Sequence, residues 1–223
     1  MMPSPEQCGV IFDLDGVLVD TREFHFRAFV SLGEMEHYRI TEQMFRTIYG
    51  WHNADIFPYI YGHALAPSEV QRLAARKEEL YREGIRGQVV AMPGVTELVH
   101  GLKAAGFHLA IGSSTPRANV DLVLSELRIK DLFQVIIAGE DVTKGKPDPQ
   151  VFLLAAERLG IPPERCLVVE DAVAGVRAAR RTAGMKALAV TTNHSREALS
   201  EAHRVVDSFT EVSPQDVLAL LGE

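Results

Sequence analysis

Val10-Ile11-Phe12-Asp13-Leu14-Asp15-Gly16-Val17-Leu18-Val19-Asp20 is an apolar run that ends in two carboxylates two residues apart, followed by glycine. A buried strand does not finish in unpaired charge without a reason, because a sheet interior does not tolerate isolated carboxylates. Side chains two apart on a strand point the same way, so Asp13 and Asp15 are expected to face one pocket. Two like charges that close need a cation or a shared proton.

Working outward, residues 8–12 read as a strand and the pattern then changes. Asp20 or Thr21 can cap a helix, and Phe24, Ala28, Leu32 and Met35 recur at helical spacing. From there to about residue 87 no strand is expected. Helical pieces near 41–48, 53–61 and 67–83 are separated by Gly50, Gly62 and Pro67. In the third, Val70, Leu73, Lys77, Leu80 and Tyr81 fall on one stripe. A lysine there needs a reason, either snorkelling or a ligand.

Beyond residue 93 strands and helices alternate. Helices are expected at 94–105, 117–127, 149–159, 172–183 and 214–221. Strands are expected at 107–112, 135–138, 166–169, 187–191 and near 205–206. Alternation of this kind means right-handed βαβ units, an α/β fold with a parallel sheet covered on both faces. The expected division is a catalytic core of residues 1–20 and 90–223, interrupted after its first strand by an all-helical cap of residues 21–89. That place of insertion suggests a lid.

Ligands of such sheets sit beyond the carboxyl ends of the strands. Those ends carry Asp13 and Asp15, then Ser113 and Ser114 followed by Thr115, then Lys146, then Glu170 and Asp171. Acids beside a lysine suit a hard, oxygen-seeking cation next to an anion, with Mg²⁺ the expected ion. No histidine or cysteine cluster suggests zinc. The chemistry that uses these parts is phosphoryl transfer. One carboxylate attacks phosphorus, a second group moves protons, and the cation and lysine offset charge. A calcium loop fits poorly, because Gly16 comes too early and apolar residues follow. Ser113 could instead be a helix cap, and Asp141 could lie near the metal.

These residues carry a family resemblance. Asp13-Leu14-Asp15-Gly16-Val17, Ser113, Gly145-Lys146-Pro147 and Glu170-Asp171 resemble, in order, the four motifs of the haloacid dehalogenase-like phosphohydrolases. The resemblance implies a Rossmann-like three-layer core with a helical cap. It implies Asp13 as nucleophile and Asp15 as general acid and base, with Ser113, Ser114 and Lys146 binding the phosphoryl group. Mg²⁺ is then held by the Asp13 side chain, the Asp15 backbone carbonyl and Asp171, assisted by Glu170. The dehalogenases lack the second Asp, so Asp15 favours phosphate chemistry. Thr21, His25 and Lys77 resemble positions that gate and orient a sugar phosphate in the β-phosphoglucomutase branch. That branch has a phosphate-binding arginine where Gly50-Trp51-His52-Asn53 places Asn53. The departure favours a phosphatase of a small phosphorylated metabolite, such as a sugar phosphate, over a mutase. An inactive binding or regulatory member is the remote alternative.

Composition bounds the rest. The chain has 223 residues, of which 24% are charged, with a net charge of −7, against a binder of nucleic acid backbones. Cys8 and Cys166 are expected to be buried thiols in a reducing compartment. The first apolar run is too short for a signal peptide or a membrane span, which points to the cytoplasm. A monomer is expected, with no long heptad pattern.

Overall fold

The computed structural model describes residues 3–49, 51, 53–182 and 184–222. Gly50 and His52, which precede the expected helix at 53–61, lie outside the described residues. The chain divides into two compact units, residues 1–20 with 89–223, and residues 21–88.

The first unit is built on a six-stranded parallel sheet. β1 (Gly9–Phe12), β2 (His108–Gly112), β3 (Val135–Ile137), β4 (Cys166–Glu170), β5 (Lys186–Val190) and β6 (Arg204–Val206) stand in the order β3-β2-β1-β4-β5-β6. Among the described residues five α-helices accompany them: α5 (Val95–Ala104), α6 (Arg117–Glu126), α7 (Gln150–Leu159), α8 (Val173–Arg180) and α9 (Pro214–Gly222). The central strands β1 and β4 are buried along their whole length, which is why they read as continuous apolar runs. The edge strands β3 and β6 are partly exposed and short.

Ile11 pairs with Ala110 on one side and Val168 on the other. These three pack with Phe152 of α7 and Val176 of α8 in one core cluster. The alternate residues Val10, Phe12, Leu109, Ile111, Leu167 and Val169 turn to the opposite face, where α5 and α9 contact β2 and β4. The sheet is therefore the middle of three layers. In this strand order the direction of winding reverses between β1 and β4, and a crevice opens there at the carboxyl ends.

α8 ends at Arg180, short of the expected 183. Its last turn tightens: the Thr182 amide donates to Ala179 and its hydroxyl to Ala178, three and four residues back. Ala183 lies outside the described residues.

In the second unit every described element is a helix: α1 (Arg22–Glu36), α2 (Glu42–Ile48), α3 (Asn53–Tyr61) and α4 (Pro67–Ile85). Thr21 occupies the N-cap of α1 but makes no side-chain cap bond, whereas the Thr41 hydroxyl accepts from the Met44 amide at the start of α2. Phe29, Leu32, Phe45, Ile48, Phe57 and Leu73 form this unit's own apolar core. Met35 does not join it and is 51% exposed. The buried stripe of α1 runs through Ala28, Phe29, Leu32 and Gly33. Met35 and the half-buried Phe24 fall on the edge of that stripe, about a quarter turn from its centre.

Among the described residues no helix is long and apolar enough to cross a membrane. Ile11, fully buried at the centre of the sheet, is the most direct probe of the first unit. Ile11→Ala is expected to destabilise that unit by about 2–5 kcal/mol, read as a lower denaturant midpoint at unchanged slope.

Candidate active site

Four of the sequence-derived site residues meet at the β1/β4 crevice. β1 ends at Phe12, and the Asp13 amide continues the ladder by donating to Val169 O at 3.0 Å. Asp13 is thereby placed level with Glu170, the last residue of β4. Lys146 comes from the loop between β3 and α7 and inserts its ammonium between them. Its Nζ lies 2.9 Å from Asp13 Oδ1 and 2.6 Å from Glu170 Oε1, and 4.8 Å from the centre of the Phe152 ring. Asp13, Glu170 and Asp171 are all buried, and oxygens from the three carboxylates lie within 4.8 Å of one another.

Glu170 turns its second oxygen onto the amides of Asp171 and Ala172, each at 3.0 Å. Its position depends on Gly175, in the first turn of α8, since a Cβ there would collide with Glu170 Oε1. Gly16 has the same meaning for Asp171. It sits at φ +78°, a conformation glycine tolerates without strain, and a Cβ on it would collide with Asp171 Oδ2. That oxygen accepts from Asn193 Nδ2 at 2.7 Å, while the Asp171 carbonyl faces His194 Nδ1 at 3.1 Å. The residues that follow β5 thus hold Asp171. Asn193 and His194 lie in a polar loop after the fifth strand that no sequence pattern marks as part of the site. Gly175 had a local signal, an isolated glycine inside a helical pattern.

Three buried carboxylates against one ammonium leave an excess of negative charge. Burial pushes the Asp13 carboxyl up to about 6, with Lys146 opposing and the neighbouring Glu170 and Asp15 adding to the rise. Burial, reinforced by Glu170, also holds Asp171 well above the usual carboxylate range. For Lys146, burial alone would lower the ammonium, but Asp13 and Glu170 outweigh it and keep the group charged. Asp13 Oδ1 has the ammonium as an ion-pair neighbour but no aligned hydrogen-bond donor. An all-oxygen, buried and over-charged group of this kind fits a hard divalent cation.

Asp15 does not share the fate of Asp13. Its carboxylate accepts a hydrogen bond from Thr115 Oγ1 and lies outside the three-carboxylate group. Ser113 is buried, its amide donates to Ile137 O at 3.1 Å and its Oγ accepts from the Thr115 amide at 3.3 Å. It is not a helix cap, since α6 begins after Pro116. Ser114 is exposed. Asp141 is turned away from the carboxylates, taking Arg117 at 2.6 Å and Arg158 at 3.5 Å.

The second unit holds a polar cluster of its own. Lys77 is only 5% exposed, with its Nζ 2.8 Å from His25 Nδ1 and 2.9 Å from Glu78 Oε1. The ammonium lies 5.0 Å from the centre of the Phe29 ring, and His25 stacks on Tyr81 at 4.1 Å. Thr21 is buried one turn before His25 and accepts its amide. Asn53 opens α3 and is half-buried.

Comparison with known proteins identifies the family. Residues 10–190 match the family model of the haloacid dehalogenase-like hydrolases. The chain is 32% identical over 216 residues to a phosphorylated carbohydrates phosphatase of Thermotoga maritima, covering 96% of this chain and 98% of that one. It is 35% identical over 188 residues to the β-phosphoglucomutase of Bacillus subtilis, covering 81% and 82% respectively. The crystal structure of β-phosphoglucomutase from Clostridium difficile superposes with a TM-score of 0.82 at 27% identity, covering 96% of each chain. The chain belongs to the haloacid dehalogenase-like hydrolases.

The raised carboxyls have a measurable consequence. A carboxyl whose pKa is higher folded than unfolded contributes stability below its ordinary value of 3.8 and loses it as pH rises through about 6. The chelated protein is therefore expected to melt lower at pH 7.5 than at pH 5. Adding a divalent cation is expected to raise the midpoint by several degrees at pH 7.5 and by less at pH 5, where protons compete. A thermal scan at both pH values checks this.

Proposed function

We propose that this haloacid dehalogenase-like hydrolase is a Mg²⁺-dependent phosphatase of a small phosphorylated metabolite, most simply a sugar phosphate, working through a phosphoaspartate. The observation that carries the reading is the separation of the two motif-one carboxylates. Asp13 is buried against Lys146 in the three-carboxylate group, whereas Asp15 is held apart by a neutral hydroxyl. That separation supports reading Asp13 as the nucleophile and Asp15 as the proton carrier.

Asp13, Glu170 and Asp171, with the backbone carbonyl of Asp15, would hold the cation. When bound it neutralises charge on the phosphoryl oxygens and on the excess carboxylate. An Asp13 oxygen attacks phosphorus while Lys146 stays protonated to offset the transferring charge. Ser113, at the end of β2, and Ser114 donate to the phosphoryl oxygens. Asp15 gives a proton to the leaving oxygen. It then takes one from the water that cleaves the acyl phosphate. Residues 21–88 are proposed as the cap that supplies specificity, with Thr21, His25, Asn53 and Lys77 as its substrate-facing residues. Lys77 and His25 form a polar pair, with Glu78 on the same ammonium, beside the apolar core of this unit.

A phosphomutase using the same nucleophile is the second reading, favoured by the His25–Lys77 pair and the β-phosphoglucomutase likeness. Asn53, where that branch carries arginine, weighs against it.

Asp13→Asn is expected to lower phosphate release by at least about 10³-fold while the folded spectrum is kept; retained turnover would sink the assignment. Offering β-glucose 1-phosphate with a trace of the 1,6-bisphosphate separates the two readings. Free phosphate as the product supports the phosphatase, and glucose 6-phosphate without matching phosphate supports the mutase.

A further inference from the structure

Thr115, on the loop that leaves β2, is braced more firmly than a loop residue needs to be. Its amide donates to Ser113 Oγ at 3.3 Å and its carbonyl accepts from the Gly139 amide at 3.0 Å. Gly139 cannot carry a side chain here, because a Cβ would lie 2.5 Å from Ser114 O. The turn containing Gly139 is fixed in its own right. The Glu140 carboxylate accepts from the Arg117 amide at 2.9 Å, and Asp141 Oδ2 accepts from the Ala138 amide at 2.9 Å and from Arg117 Nη2 at 2.6 Å. All of this bracing delivers one hydroxyl, which donates to Oδ2 of Asp15. Asp15 itself sits past the end of β1, in a turn that contains Gly16 at φ +78°. An aspartate in a turn has several rotamers open to it unless a partner selects one.

We propose that Thr115 is the positioning residue for Asp15, its hydroxyl holding the carboxyl group in the orientation from which it protonates the leaving oxygen. The proposal rests on the phosphatase reading above. As the Asp13 O–P bond forms, the bond from phosphorus to the leaving oxygen breaks and its electron pair stays on that oxygen. The proton on Asp15 passes to the same oxygen, and Asp15 is left as a carboxylate that the Thr115 O–H stabilises by donating to it. In the second half a water oxygen bonds to phosphorus, the Asp13 O–P bond breaks, and a water proton returns to Asp15. Thr115 exchanges no proton in either half and acts only through Asp15.

The test uses leaving groups. p-Nitrophenolate departs with little help from an acid, whereas phenolate and alkoxides need the proton. kcat/KM is measured for p-nitrophenyl phosphate, phenyl phosphate and glycerol 3-phosphate on the full chain with Mg²⁺. Thr115→Val is expected to lower it about 3-fold for the first and about 100-fold for the last, steepening the dependence on leaving-group pKa. Thr115→Ser, which restores the hydroxyl, is expected to return the shallow dependence. Thr115→Ala carries the same comparison if Thr115→Val does not fold. An equal loss on all three esters overturns the role of Thr115 and leaves the phosphatase reading standing. An unaltered chain that releases phosphate from none of them removes the phosphatase reading and this role with it.

Discussion

The ion pair between Lys146 and the two carboxylates Asp13 and Glu170 is the contact on which the rest of the first unit depends. Three buried acids cannot be assembled at the tip of a parallel sheet without a compensating charge, because desolvation of each carboxylate costs several kcal/mol. One ammonium offsets part of that cost. The remainder is expressed as raised carboxyl pKa values. The surrounding backbone is adapted to the cluster. Gly16 and Gly175 stand where any side chain would collide with Asp171 or Glu170, and the amides ahead of α8 receive the second oxygen of Glu170. Electrostatic need and backbone choice are therefore one constraint seen at two levels.

The helical unit repeats the theme on a smaller scale. Lys77 is buried because His25 and Glu78 meet its ammonium and two aromatic rings cover its sides. Replacing that arrangement by an apolar residue of similar volume would be the simpler way to fill a core. The chain instead places here a partnered lysine and a histidine stacked on Tyr81. Tyr81 and Phe29 join this polar pair to the apolar core of α1 and α4.

Much of the architecture is legible in the chain because it is written in local periodicity. Runs such as Val10-Ile11-Phe12 and Cys166-Leu167-Val168-Val169 announce strands buried on both faces, and the alternation of strand with helix announces a parallel sheet. Positions at strand ends follow from that, so Asp13, Ser113, Lys146 and Glu170-Asp171 can be named from the chain alone. Periodicity fails where a stripe is only slightly off centre, as for Met35, and where a helix frays into a tighter turn, as after Arg180. It also says nothing of Asn193 and His194, because a polar loop after a fifth strand has no pattern to set it apart.

The sequence by itself determined the order of elements, the composition of the charged cluster and the interruption after the first strand. These depend on neighbours within a few residues or on residue type alone. The different partners of the two carboxylates of Asp13-Leu14-Asp15 are settled in three dimensions. Asp13 goes to Lys146 and Asp15 to Thr115, partners more than ninety residues away along the chain. Strand order sets β4 with Glu170 on one side of β1 and β2 with Thr115 on the other, and the loop after β3 brings Lys146 to Asp13 and Glu170. Spacing along a chain carries no record of which strands become neighbours. The physical reason lies in the pairing of buried strands, whose register brings distant side chains to the same crevice.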